Sequence, residues 1–269
     1  MDTKKISVLT PSYNSGKYIE RAIQNVLSQD YQNWEHIIVD GQSKDETINI
    51  LKKYPHLKWI SEPDQGQSDA MNKAFQMCTG DIIVYLNADD WFEDNIFLHV
   101  CSEFDRNQNV DMLVGNLIVY FEGKKKELRK PSIVYEDILS YWKTLFPGNP
   151  VSYFYKRELQ SKIGQFPINY HYTMDYWFLL KAYQIGKVGY LDETFGTFYI
   201  DGFNKTATSF VLQNLHITLL KHLALRDPLN IFNIYKKYIS FFGFRRTIEY
   251  QQFFWYVRRI MQLAGLKRK

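Results

Sequence analysis

The sequence is short of several things, and each shortage removes a class of protein. It holds two cysteines, Cys78 and Cys101. Two thiols cannot build a disulfide framework or a four-ligand metal site, so reduced cytosolic thiols are expected. No uncharged apolar run approaches the roughly 18–20 residues that cross a bilayer. Lys4 and Lys5 lead directly into Ile6-Ser7-Val8-Leu9, an apolar stretch too short for a signal-peptide core that reads as a first strand. No G-x-G-x-x-G follows that strand, and G-x-x-x-x-G-K-[ST] is absent. Dinucleotide-binding and phosphate-loop sites are therefore disfavoured, and a bound nucleotide must be held by side chains and a metal. None of the six histidines shows metal-ligand spacing.

What is present describes a folded protein. Hydrophobic residues make up 45% and charged residues 23% of the chain, which excludes wholesale disorder. Its length suits one large α/β domain with an extension, or two small domains. Aromatics reach 17%, a density that serves either a packed core or surfaces that bind rings. The net charge of +4 hides an asymmetry: residues 211–269 carry eleven Lys or Arg against two acids, whereas the first 210 carry 22 against 27. An acidic body thus precedes a strongly basic tail.

The first ninety residues alternate regularly. After Ile6 to Leu9, the residues Ile19, Ala22, Ile23, Val26 and Leu27 recur at helical spacing. His36-Ile37-Ile38-Val39 is a second strand, Lys58-Trp59-Ile60 a third, and Asp81 to Leu86 a fourth. Ser43-Lys44-Asp45-Glu46 has the spacing of a capping box ahead of one helix. Ser68 is placed to cap another. Such alternation predicts a mostly parallel sheet flanked by helices, with ligands beyond the C-terminal strand ends. Three polar segments fall there: Thr10 to Asn14, Asp40-Gly41, and Asn87-Ala88-Asp89-Asp90. Further on, Met112 to Val114 and Leu117 to Phe121 read as strands, Glu122 to Lys130 as a charged hairpin end, and Met174 to Tyr183 as a buried helix.

Those segments have alternative uses. Carboxylates such as Asp89 and Asp90 suit Mg2+ or Mn2+ shared with substrate phosphates, and acids after a strand equally cap the next helix or face solvent. Tyr13 can stack on a base or sugar, or pack in its turn. Asp40 can accept hydrogen bonds from a pyrimidine imide or a ribose, or belong to an Asp-Gly turn. Asp175 can act as a base or favour a helix dipole in a first turn.

Together, Val8 to Asn14, Ile38 to Thr47, Asp64 to Lys73 and Tyr85 to Asp90, in that order and spacing, resemble the bacterial family 2 glycosyltransferases of GT-A fold. The resemblance covers residues 5–200 and implies an α/β catalytic domain of GT-A type over residues 1–205, with a helical, basic, aromatic extension over 206–269. It implies an inverting enzyme that moves a sugar from a nucleotide-diphosphate donor, a UDP-sugar, to a hydroxyl of a cell-surface glycan or a lipid-linked acceptor. By the same resemblance, Pro11, Tyr13 and Asp40 hold the nucleoside, with Thr10 and Asn14 beside them. Gln67, Asp69, Asn72 and Lys73 line the sugar–diphosphate side with Asn87 and Ala88. Asp89 binds Mn2+ or Mg2+, Asp90 supplements it, and Asp175 is the base. One departure stands out: the first acid of the family's Asp-x-Asp motif is Asn87 here, which brings an amide oxygen but no charge. It keeps open an alternative, a non-catalytic, membrane-associated subunit that retains the fold and binds nucleotide or glycan.

In the tail, Tyr250, Phe253, Phe254, Val257, Met261 and Ala264 form a helical apolar stripe beside Arg258 and Arg259. Basic charge and aromatics of this kind suit an anionic membrane surface, and equally a helical subdomain packed on the body. No nucleic-acid reader motif accompanies the charge. The expected location is cytoplasmic, peripheral on the inner face of the cell membrane.

Overall fold

The computed structural model describes residues 4–121, 126–201, 214–215, 217–219 and 221–223. Short apolar runs become strands: β1 (Ile6–Ser12), β2 (Trp34–Asp40) and β4 (Ile82–Tyr85) are buried on both faces, and β3 (Lys58–Ser61) is a partly exposed edge strand. They lie side by side in the order β3-β2-β1-β4, all parallel. The helices between them are α1 (Ile19–Leu27), α2 (Thr47–Leu51) and α3 (Gln67–Met77). In α1 the expected stripe of Ile19, Ala22, Ile23 and Val26 is buried. After β4 come β5 (Trp91–Phe92), α4 (Ile96–Arg106), β6 (Met112–Phe121), β7 (Lys126–Arg129), α5 (Tyr135–Ile138), β8 (Tyr153–Lys156), α6 (Arg157–Ile163), α7 (Met174–Ile185) and β9 (Val188–Ile200). This second half is mixed: β8 joins β4 to β6 by antiparallel pairing, β9 runs parallel to β6, and β5 and β7 add antiparallel edges. Parallel pairing is thus concentrated in the first ninety residues. Met112 to Phe121 forms one strand rather than two, with a register shift around Asn116 against β9.

The strand period of two divides the core. In β1 and β4, Ile6, Val8, Ile82 and Val84 pack with α1, α4 and β9, while Leu9, Ile83 and Tyr85 pack with α3, α6 and α7. Leu215, Leu219 and Leu223 are buried against the second of these layers. Thr218 Oγ1 lies 2.7 Å from Thr173 Oγ1, and His222 Nε2 lies 2.8 Å from the Tyr135 hydroxyl. The apolar stripe from Tyr250 to Ala264 lies outside the described residues, as does most of the extension. No described helix is long and apolar enough to cross a membrane.

Two helix starts differ from the sequence expectation. Ser43 does not cap α2, because its hydroxyl donates to Asp40 and accepts the Asn14 N–H at 2.7 Å. Asp45 takes the Thr47 N–H instead, at 3.1 Å. Helix α3 begins one residue before Ser68, after Gly66 with φ +104, a conformation open to glycine at little cost. At the opposite edge of the sheet, Glu35 is buried in a polar cluster. Burial pushes its carboxyl up, but hydrogen bonds from Lys58, Ser7, the Thr79 N–H and Lys5 outweigh that and hold it well below the usual carboxylate range.

Next to Glu35, His36 is fully buried, with Nε2 2.9 Å from Thr10 Oγ1. Burial, and then the charge of His56, lower its pKa to about 3. In the unfolded chain the imidazole binds a proton near pH 6.5, which the folded site refuses. Stability should therefore be complete above about pH 6.5 and fall as the pH drops from there toward 3, by up to about 1.4 kcal/mol per unit from this group. Thermal unfolding of wild type and His36→Gln between pH 7 and 4.5 checks this: the variant should show the shallower slope.

Candidate functional site

The parallel strands end their polar C-termini on one open cleft of about 1080 Å³. Pro11, Tyr13 and Asn14 from the end of β1, Gly41 and Gln42 after β2, Asp64 and Gln67 ahead of and at the start of α3, and Asn87, Ala88 and Asp89 after β4 line one side. The other side is built by the second half of the chain: Arg129, Tyr141, Phe146, Asn149, His171, Tyr172, Met174, Asp175 and Tyr176. Tyr13 is 64% exposed, so its ring is a bare face at the cleft. Tyr18 and Asp201 also line the cleft, with the Tyr18 hydroxyl donating to Asp201 at 2.6 Å.

The expected residues divide into two groups. Pro11, Tyr13, Asn14, Gln67, Asn87, Ala88, Asp89 and Asp175 line the cleft; Thr10, Asp40, Asp69, Asn72, Lys73 and Asp90 do not. Each of the second group has its polar atoms committed elsewhere. Thr10 is paired with His36. Asp40 has no exposed surface; Oδ2 accepts the Ser43 N–H at 2.8 Å and the Ser61 hydroxyl at 2.7 Å, and Oδ1 accepts the Ser43 hydroxyl. Asn72 is locked to the backbone of Phe166, donating to its carbonyl at 2.9 Å and accepting its N–H at 2.8 Å. Lys73 pairs with Glu62 at 2.8 Å and Asp69 at 3.4 Å and donates to the Pro63 carbonyl. Asp69 also accepts the Gln65 N–H.

Asp89 and Asp90 part company at the same loop. Asp90 is wholly buried. Its Oδ2 accepts from Asn87 Nδ2 at 2.9 Å and Asn149 Nδ2 at 2.8 Å, and its Oδ1 accepts the Tyr199 N–H at 3.0 Å. Burial, and then the Asp89 charge, push the pKa of its carboxyl up, while Asn149, the Tyr199 N–H and Asn87 pull it down. With three donors on it and no surface, this carboxylate supports the loop from behind and does not face the cleft. Asp89 does face it, and its backbone carbonyl accepts from Arg21 Nη2 at 2.5 Å. The Arg21 guanidinium lies 4.3 Å from the Trp91 ring centroid and 5.2 Å from that of Tyr199.

The hydrogen bond to Asp90 fixes which way the Asn87 amide points. Nδ2 goes to the carboxylate, so Oδ1 is presented to Gln67 Nε2, 3.0 Å away. An aspartate at 87 would place a second carboxylate at hydrogen-bond distance from buried Asp90, and like charges this close oppose joint ionisation. Asparagine is what this geometry accommodates.

Sequence reasoning passed over Asp64, Gln42, Asn149, Arg129 and Asp201. Asp64 and Gln42 stand inside the motif segments; Asn149, Arg129 and Asp201 carry no local signal, because only the second half of the sheet brings them to the cleft. Among the described residues, no cluster of three or more His, Cys, Asp or Glu is arranged to hold a metal.

Comparison with known proteins agrees with this architecture. Residues 7–183 match the family model described as glycosyl transferase family 2. An uncharacterized glycosyltransferase of Nostoc is 28% identical over 216 residues, 74% of this chain and 66% of that protein. The putative teichuronic acid biosynthesis glycosyltransferase TuaG of Bacillus subtilis is 39% identical over 98 residues, covering 34% of this chain and 38% of its own length. The chain thus spans less than two thirds of these relatives. Among solved structures, Staphylococcus aureus TarS 1–349 in complex with UDP-GlcNAc has a TM-score of 0.66 at 19% identity, covering 83% of this chain and 67% of that one. The Pyrobaculum calidifontis mannosyltransferase PcManGT in complex with GDP-Man and Mn2+ has a TM-score of 0.57 at 19% identity, covering 82% and 62%. These likenesses establish the GT-A fold.

The loop's dependence on its buried aspartate is measurable. Asp90→Ala leaves three N–H donors without their acceptor and should cost on the order of 3 kcal/mol. Asp89→Ala should stay within about 0.5 kcal/mol. Urea unfolding midpoints of the two variants give the comparison.

Proposed function

Since the chain belongs to glycosyl transferase family 2, we propose that it transfers a sugar, with inversion, from a nucleotide-diphosphate donor to a hydroxyl of a cell-surface glycan or lipid-linked acceptor. A UDP-sugar is the proposed donor, because TarS is solved with UDP and with UDP-GlcNAc on the same fold. The observation that carries the reading is a cleft lined from both halves of the described chain. It sets Tyr13 and Asn87 to Asp89, from the parallel half, opposite Asp175 in the first turn of α7. A donor held on the first side would present its anomeric carbon toward the second.

Inverting transfer is a displacement in which the acceptor oxygen bonds to the anomeric carbon as the bond to the diphosphate breaks. The electron pair leaves with the nucleoside diphosphate, and the acceptor's proton must go to a base. Asp175 is the carboxylate proposed for that proton. Pro11, Tyr13, Asn14 and Gln42 would hold the nucleoside, with the Tyr13 ring as a stacking face. Gln67 and the Asn87 amide oxygen would face the sugar and diphosphate. Phe146 and Tyr172 offer rings on the acceptor side, whereas Tyr141 and Tyr176 are buried in the core behind them.

A divalent cation fits these residues in one form. Asp89 is the carboxylate of its loop that faces the cleft, and Mg2+ or Mn2+ shared between one carboxylate and substrate phosphates needs no more. Bound there, the cation would supply positive charge to the leaving diphosphate. Charge balance supports it: Asp64, Asp89, Asp175 and Asp201 line the cleft with Arg129 as the one formal cation among the described lining residues.

Two measurements test the reading. Donor turnover should fall when EDTA removes divalent cations and return on adding Mn2+; full turnover without metal overturns the role of Asp89. Asp175→Asn should lower transfer at least about 100-fold while nucleotide affinity stays within twofold. Unchanged transfer places the base elsewhere, and nucleotide binding without turnover in wild type favours the non-catalytic alternative.

A further inference from the structure

The family motif directs attention to Asp40, yet that carboxylate is enclosed and all its contacts are with Ser43 and Ser61. A second carboxylate packs against the next residue, Gly41. Asp64 lines the cleft beside Gly41 and Gln42. It comes so near Gly41 that a Cβ there would lie 2.6 Å from its Oδ2. The missing side chain at position 41 is therefore what admits Asp64 to the floor of the cleft. The backbone on both sides is pinned: the Gly41 N–H donates to the Ser12 carbonyl at 2.8 Å, and the Glu62 N–H to the Asp40 carbonyl at 3.0 Å.

The two oxygens of Asp64 are used differently. Oδ1 accepts the Gly66 N–H at 2.8 Å, in a turn whose φ of +104 at Gly66 few side-chain-bearing residues tolerate. Oδ2 takes none of the hydrogen bonds found among the described residues. One oxygen fixes the rotamer and the other is held facing the cleft, on the same side as Tyr13.

We propose that Asp64 reads the nucleoside of the bound donor, Oδ2 accepting a hydrogen bond from a base N–H or a ribose hydroxyl, while Asp40 builds the floor beneath it. A carboxylate is an acceptor only, so this position selects for donors: the imide N–H of a uracil-type base, or the ribose diol. A cytosine ring nitrogen, itself an acceptor, is refused there. Sites built around one such hydrogen bond discriminate strongly against ligands that cannot make it. The inference rests on the proposed use of a nucleoside diphosphate and adds the residue that recognises it.

The test is calorimetric titration of the full chain, with Mn2+, using UDP, CDP and 2′-deoxy-UDP. Wild type should bind UDP best. Asp64→Ala should weaken UDP at least about tenfold, the usual scale for a charge-assisted hydrogen bond. Asp64→Asn keeps an oxygen for the Gly66 N–H, and so keeps the turn, but turns an N–H toward the ligand; it should lose UDP to a similar degree. If the partner is the base, the preference for UDP over CDP should collapse in Asp64→Asn. If the partner is the ribose, that preference should persist and 2′-deoxy-UDP should bind wild type as weakly as UDP binds the variants. Tight UDP binding by wild type with unchanged affinity in both variants overturns the inference alone. No binding of any nucleoside diphosphate by wild type overturns the proposed donor class, and the inference with it.

Discussion

The carboxylate of Asp90 is the constraint on which the cleft depends. It has no solvent of its own and accepts N–H groups from three segments far apart in sequence: Asn87 after β4, Asn149 ahead of β8, and the backbone of Tyr199 in β9. In a low-dielectric interior such bonds are strong, and a missing partner is expensive. The three segments therefore hold their spacing together or not at all. One belongs to the parallel half that carries Tyr13, Asn87 and Asp89 on the cleft. The other two belong to the mixed half that carries Asp175. A single buried acid thus sets the distance between the walls, and its neighbour Asp89 inherits its position from it, with Arg21 tying down the carbonyl from the other side.

The same division of labour recurs. Asp40 precedes Gly41 and Asp64 packs against it, the first enclosed and the second lining the cleft. Asn72, which a motif places with the sugar, instead clamps Phe166 and so fixes the approach to α7. Polar residues at the ends of parallel strands have two demands to meet, the chain's own unsatisfied amides and the ligand. Deeper side chains are used up by the first demand, and residues closer to the opening are left for the second.

That division explains what could be read from the sequence. Strands β1, β2 and β4 were legible because both faces are buried, leaving uninterrupted apolar runs, and α1 because its stripe has a period that local spacing reveals. Strand β8 and the 13-residue β9 were not, since their pairing with β4 and β6 is decided by contacts between distant segments. Asp89 was legible as an acid where an apolar strand ends and Asp175 as an acid where an apolar helix begins, and both line the cleft. The inward turn of Asp90 was not, because it answers to Asn149 and Tyr199, more than fifty residues away. The capping box failed for a related reason: Ser43 had the correct spacing, but Asp40 and Asn14 claimed its hydroxyl.

The electrostatics of the cleft join these points to the proposed chemistry. Four carboxylates and one guanidinium line it among the described residues, and Lys73, the cation expected beside the diphosphate, is spent on Glu62 and Asp69. A nucleoside diphosphate is itself anionic, so entering alone it meets repulsion from the surface meant to hold it. By the proposed reading, a divalent cation entering alone would meet Asp89 and an asparagine where a second acid would stand. Each is a poor ligand without the other, and each supplies what the other lacks. On the proposed chemistry, binding of the two would be strongly coupled, and thermodynamic linkage would make the coupling reciprocal: whatever factor the cation adds to nucleotide affinity, the nucleotide adds to the cation's. The substitution at Asn87 acts in this same direction. By removing a charge it disfavours a metal site formed by the protein alone, and the proposed site would be one that its donor completes.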